Sequence, residues 1–209
     1  MEKKENSALP EAQELLEQLR ASLAGKDGYI WLEALKKFNR KEIPTWTPAT
    51  EWKVWRTISN GTFKSADNSI ATLRANGIEV YKSLEKAIRK LHFLVFKAYA
   101  VEIVIVGITD LGFHEGSEVS YEEIIKAGKK MGLRECISYD VFPIRLSYND
   151  QPVVEHIDEH YLLAMKPMGG GVFSVSNTWG KKGIDIIHPF PALKFNKNAK
   201  FFFRLTSKR

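Results

Sequence analysis

The chain has 209 residues, 44% of them hydrophobic and 27% charged, enough to bury a full core without disulfide staples. Its single cysteine, Cys136, excludes an intrachain bridge, and the N-terminal MEKKENSALPEAQ lacks the apolar stretch of a secretory signal, so a cytoplasmic protein is expected. Net charge is +6, but from Lys166 onward nine Lys or Arg residues face one acid, Asp185, so the basicity is a property of the C-terminal part.

Residues 8–24 place Leu15, Leu16, Leu19 and Leu23 on one helical stripe, with Gly25 to end it. A second helix follows Asp27 as N-cap, with Ile30, Trp31, Leu35 and Phe38 on one face. The two form an αα unit, a candidate for homo-oligomerisation. The segment 43–50, with two prolines, reads as a linker, which sets units of 1–45 and 46–209.

Residues 51–58, with Trp52, Val54, Trp55 and Ile58, predict a strand ending at the Asn60-Gly61 turn. Ser65 caps a helix to Asn76 that closes at Gly77, and another helix runs over 82–91. Short helices in this order admit a helix-turn-helix, with Arg74, Lys82, Lys86, Arg89 and Lys90 on phosphates; the five-residue linker is long for that motif. Residues 101–108 are nearly all β-branched, as in a strand covered on both faces. The apolar window 93–108 is broken by Lys97 and Glu102, so no membrane span is expected.

Ser120 and Glu123 fit a capping box opening a helix over 121–131, closed by Gly132. Strands are expected at 144–148, 161–165, 172–177, 184–188 and 200–205, with Gly169-Gly170-Gly171 as a flexible connection. The pattern predicts an α+β fold: an N-terminal helical unit, then a mostly antiparallel sheet with two to three packing helices.

Residues 52 to about 167 resemble a family of small bacterial domains without an assigned activity. The resemblance lies in Trp52-Lys53, Trp55-Arg56-Thr57-Ile58, Gly61-Thr62, Lys64-Ser65-Ala66-Asp67, Leu111-Gly112-Phe113 and Gly116, and continues through Leu133, Cys136, Arg145-Leu146, Tyr148, Asp150-Gln151-Pro152, Ala164-Met165 and Pro167. It implies a domain and no mechanism. The connection holding EHIDEH departs from the family's shorter one.

Four groups of residues carry chemistry. His156, Glu159 and His160 spell H-x-x-E-H, which on a helix would share a zinc between the histidines, with Asp185 or His188 as a substitute third ligand; a polar turn gives the same letters. Asp110, His114 and Glu115 form a polar loop after the central strand, either a ligand loop or a structural turn. Arg145, Tyr148, Asp150 and Gln151 form a polar set in which Arg145 can clasp a carboxylate or phosphate, or pair within the sheet. Lys194, Lys197, Lys200 and Arg204 interleave with Phe195 and Phe201 to Phe203, a pattern that suits single-stranded nucleic acid or a charge-guarded edge strand.

Cys136 admits a nucleophile beside a histidine or a buried apolar residue. The combined expectation is a non-enzymatic binding module for a protein or nucleic acid, with no cofactor. The alternative is a metal-dependent hydrolase or nuclease working through the His/Glu loop.

Overall fold

The computed structural model describes residues 9–26, 28–40, 51–93, 97–153, 160–189 and 193–205. The chain divides into two compact units, Met1–Glu51 and Trp52–Arg209. The linker at 43–50 and the Asp27 cap lie outside the described residues.

The first unit is a pair of helices, α1 (Leu9–Ala24) and α2 (Gly28–Asn39). Leu19, Leu23, Ile30, Trp31 and Leu35 are half-buried and Ala34 is buried, whereas Leu15 and Phe38 stand 64% and 63% exposed. Two helices cannot enclose a core, so the apolar stripe read from the sequence is only partly covered.

In the second unit the chain runs β1 (Arg56–Asn60), α3 (Ala66–Ala75), α4 (Lys82–Arg89), β2 (Tyr99–Gly107), β3 (Val119–Ser120), α5 (Tyr121–Lys130) and β4 (Leu133–Arg134). After a 3-10 turn at Ser138–Asp140 follow α6 (Val141–Ser147), β5 (Tyr161–Leu163), β6 (Val172–Thr178), β7 (Lys181–Ile187), β8 (Lys194–Phe195) and β9 (Lys200–Leu205). The fold is α+β, as expected, with a largely antiparallel sheet in the order β1-β2-β9-β5-β6-β7; β4 pairs β9, and β5 with β9 is the parallel pair. No helix among the described residues is long and apolar enough to cross a membrane.

Local chemistry sets the helix ends. Ser65 Oγ accepts from Asn68 N at 3.1 Å to open α3, and Gly77, at φ +72°, ends it with its N–H on Arg74 O. The Ser120/Glu123 capping box opens α5. Gly128 brings α5 onto β9: a Cβ there would stand 2.5 Å from Phe203 Cε1, so the close approach demands glycine.

The expected strand at 144–148 is instead α6, a fourth packing helix beyond the two to three anticipated. Val141, Phe142, Pro143, Ile144 and Arg145 are all buried, so no polar face marks the helical period. Pro143 lies in the first turn, where its missing N–H costs nothing. The strand placed at 51–58 begins its ladder only at Arg56, and β2 starts at Tyr99, ahead of the expected 101–108, within which Glu102 is exposed and the rest are buried or half-buried. Gly169-Gly170 is a closed turn, with Met168 and Gly171 exchanging both backbone hydrogen bonds at 2.7 and 3.0 Å, not a flexible connection.

The C-terminal aromatic run is the sheet's centre. In β9, Phe201 and Phe203 point toward α5, where Phe201 meets Tyr121 and Phe203 meets Gly128. Phe202 points the other way, to Trp55, Tyr148 and Tyr161. All three are fully buried and Phe195 nearly so, so neither the stacking tail nor the edge strand describes this segment. Three adjacent apolar residues fit one strand only when both faces are covered.

Candidate functional site

The polar residues singled out in the sequence fall into separate places. Arg145, Tyr148, Asp150 and Gln151 gather at the C-terminus of α6, where helix carbonyls lack intrahelical donors. Arg145 is 1% exposed, and its guanidinium donates to Tyr148 O at 2.5 Å, Ser176 O at 2.8 Å and Gln151 Oε1. Burial pushes it down to about 10, still charged at neutral pH. Gln151 Nε2 donates to Val175 O at 3.1 Å, and Asn177 Nδ2 to Gln151 O at 2.7 Å.

Arg56 approaches from β1, donating to Ser147 O, and to Asp150 Oδ1 at 2.5 Å, while Lys182 Nζ reaches Asn149 O at 2.9 Å. Three cations thus collect the carbonyls of Ser147, Tyr148 and Asn149, where the helix dipole favours positive charge. The fork of Arg145 is directed at protein carbonyls, so it does not clasp an external carboxylate or phosphate. Tyr148 is buried edge-on to Trp55 at 4.7 Å, with its hydroxyl held above its ordinary range chiefly by burial.

Arg204 leaves the basic tail altogether. It donates Nε and Nη2 to Asp140 Oδ2 and Oδ1 at 2.6 and 2.7 Å, with Asp140 fully buried. Asp140 also accepts from Ile137 N at 2.9 Å and from buried Asn60. Burial pulls the Arg204 guanidinium down, but the hydrogen bond and charge of Asp140 outweigh it and hold the group above its ordinary value. Asp140 did not stand out in the sequence and Asn60 did so only as a turn residue; partners 64 and 80 residues apart leave no local signal.

The loop after β2 and the remaining C-terminal lysines do meet, because Gly107 pairs with Lys200 across β2 and β9. Asp110 Oδ2 accepts from Gly107 N at 2.7 Å, tying the turn to its own strand. Glu115 pairs with Lys197 at 2.6 Å, both exposed, and that hydrogen bond and charge hold the carboxyl below its usual range. Lys194 Nζ lies 3.9 Å from Glu123. Lys200 is half-buried with its ammonium over Gly107, and His114 is exposed. In the helix pair α3–α4, Arg74 bonds Glu85 at 3.1 Å, and Arg89 bonds both Glu85 at 2.9 Å and Asp67 at 2.8 Å.

His156 and Glu159 lie outside the described residues. His160 precedes β5 with its ring 6.4 Å from that of Phe195, and its carbonyl accepts from Lys200 N at 2.7 Å. His188 is exposed beyond the far end of β7, so the two sit at opposite ends of the β5–β6–β7 ladder. Among the described residues no three His, Cys, Asp or Glu side chains converge as a metal site.

Cys136 is buried, its Sγ 3.2 Å from Phe202 O, and burial pushes the thiol well above its ordinary value. That is the environment of an inert packing residue, not of an activated thiolate. The residues of the sequence resemblance are largely these structural ones: Trp55, Arg56, Arg145, Tyr148 and Asp150-Gln151 tie α6 and the residues after it to the sheet, and Cys136 bonds Ala164 O and Phe202 O. Comparison with protein-family models, curated proteins and solved structures finds no match for the chain.

Proposed function

We propose that the chain is a non-enzymatic, cytoplasmic binding module for a polyanionic partner, nucleic acid ahead of protein, and that its second unit belongs with the bacterial domains it resembles. One observation carries the reading. The buried polar groups Arg145, Gln151 and Asp140, with half-buried Arg204, are engaged in holding the fold, while the surplus cations, Lys194 and Lys197 among them, stand at the surface. Their carboxylate partners are exposed too, and exposed pairs contribute little to stability. A phosphate can therefore displace Glu115 or Glu123 at little cost, whereas Arg204 cannot leave Asp140.

The test is a salt titration on heparin and on a mixed-sequence oligonucleotide. Affinity is expected to fall at least about tenfold between low and moderate salt, and Lys194→Glu/Lys197→Glu to weaken it further. Salt-independent binding, or none at low salt, rejects the reading.

The αα unit supports self-association. Leu15, Leu16, Tyr29, Leu32 and Phe38 are exposed, and α1 carries Glu14 and Glu17 where α2 carries Lys36 and Lys37. A second copy, packed with α1 against its α2, covers the leucines and opposes unlike charges. Light scattering of the full chain is expected to give a dimer, and Leu15→Lys/Leu32→Lys a monomer; a monomeric wild type rejects it.

A further inference from the structure

The β6–β7 hairpin closes at Thr178 and Lys181, leaving Trp179-Gly180 as a two-residue loop. Both residues have positive φ, +49° and +80°, the signature of a type I′ turn. The first position of that turn belongs by sterics to Asn, Asp or Gly, and the other such turn in this sheet uses Gly169-Gly170, at +56° and +82°. Trp179 is the one non-glycine with positive φ among the described residues, and its side chain is 80% exposed. A bulky residue in a strained backbone, with its indole in water, serves neither the turn nor the core.

Beside it lies an open groove of about 590 Å³ between the hairpin and the turn after α3, lined among others by Arg74, Glu79, Gly180, Lys181 and Lys182. The cations outnumber the single carboxylate, and Glu79 already accepts from the Tyr81 hydroxyl at 2.8 Å. Arg74 bonds Glu85 across an exposed bridge, and Lys182 reaches Asn149 O, so both ammonium and guanidinium are positioned by the fold rather than loose.

We propose that this hairpin tip and groove bind single-stranded nucleic acid, Trp179 stacking on a base and Lys181, Lys182 and Arg74 taking backbone phosphates. The proposal rests on the polyanion reading above and adds to the surface of Lys194 and Lys197 a second site at the hairpin tip, to which α3 contributes Arg74. A single protruding indole selects for unpaired bases, because in a duplex the base faces are already stacked. Cations within the same groove then follow the backbone on either side of that base.

The experiment measures anisotropy of a fluorescent oligothymidylate with the full chain, its Trp179→Asn variant and its Lys181→Ala/Lys182→Ala variant. Asparagine suits the first position of a type I′ turn, so W179N is expected to melt no lower than wild type while binding about tenfold more weakly. Loss of both lysines is expected to reduce the salt slope by about 1.4, roughly 0.7 for each phosphate contact. Duplex of the same length is expected to bind more weakly and to ignore W179N. If heparin is bound but oligothymidylate affinity is the same in all three proteins, the site is wrong and the polyanion reading stands. If neither heparin nor oligothymidylate is bound at low salt, both fall. Equal, W179N-insensitive binding of duplex and single strand also overturns the site.

Discussion

Replacing Arg145 with Ala is expected to cost the second unit about 3–5 kcal/mol, measured as a fall in urea midpoint at unchanged m-value. The guanidinium is the common donor for Ser176 O on β6, Tyr148 O after α6 and the Gln151 side chain. Its removal leaves buried acceptors without a donor, at about 1–3 kcal/mol each, and opens a cavity where a large side chain was fully enclosed. Part of that loss is offset, because a buried cation with no carboxylate partner is itself unfavourable; the depressed guanidinium value reports that cost. Arg145→Lys separates the contributions. It keeps the charge but one ammonium cannot span the three acceptors, so it should recover less than half of the loss. A variant within about 0.5 kcal/mol of wild type would show that the acceptors are satisfied by water and that Arg145 is not the clamp described.

Asp140→Ala is expected to be of similar size, about 3–5 kcal/mol, or a melting temperature lower by about 10 °C or more. The carboxylate neutralises a largely buried guanidinium and accepts from Asn60 and from the Ile137 backbone. Without it Arg204 is a half-buried charge that has lost its carboxylate partner. Pairing the substitution with Arg204→Met should recover the part of the loss due to the unpaired guanidinium and leave the part due to the Ile137 and Asn60 donors. The effect should change little with salt, because a pair whose carboxylate is fully buried is poorly screened. If D140A and R204M add without coupling, the two residues do not form the bond seen here.

Much of the architecture was legible because local chemistry and tertiary packing agree. Ser65 with Gly77, and Ser120 with Glu123, mark the ends of α3 and α5 in the sequence as they do in space. The β-branched run of β2 and the turn residues that bound β6 and β7 needed no partner to be recognised. α6 was illegible for a physical reason: a helix buried all round has no amphipathic period, and Val, Phe and Ile in it favour extended structure locally. The two-residue strands β3, β4 and β8 are set by their partners and carry no propensity of their own.

The candidate sites were harder still. Arg145 and Arg204 announce a cation to any reader of the sequence, but whether a cation faces solvent or a buried acceptor depends on residues tens of positions away. Trp179 was passed over because an Xaa-Gly pair between two strands reads as an ordinary turn. Only the observed backbone angles, set against the indole's exposure, turn it into an anomaly.

The position of β9 governs how the sheet can be assembled during synthesis. It is the latest of the sheet's strands to be made, yet among the described residues it alone joins the antiparallel β1–β2 pair to the β5–β6–β7 meander. Until residues 200–205 leave the ribosome, the nascent chain holds two partial ladders whose inner edges, β2 and β5, have open backbone donors and acceptors. Completion of the sheet therefore waits on β9 and is slow by virtue of its long-range pairings. Chains interrupted before Lys200 should be recovered as aggregates or chaperone clients rather than as a smaller folded domain.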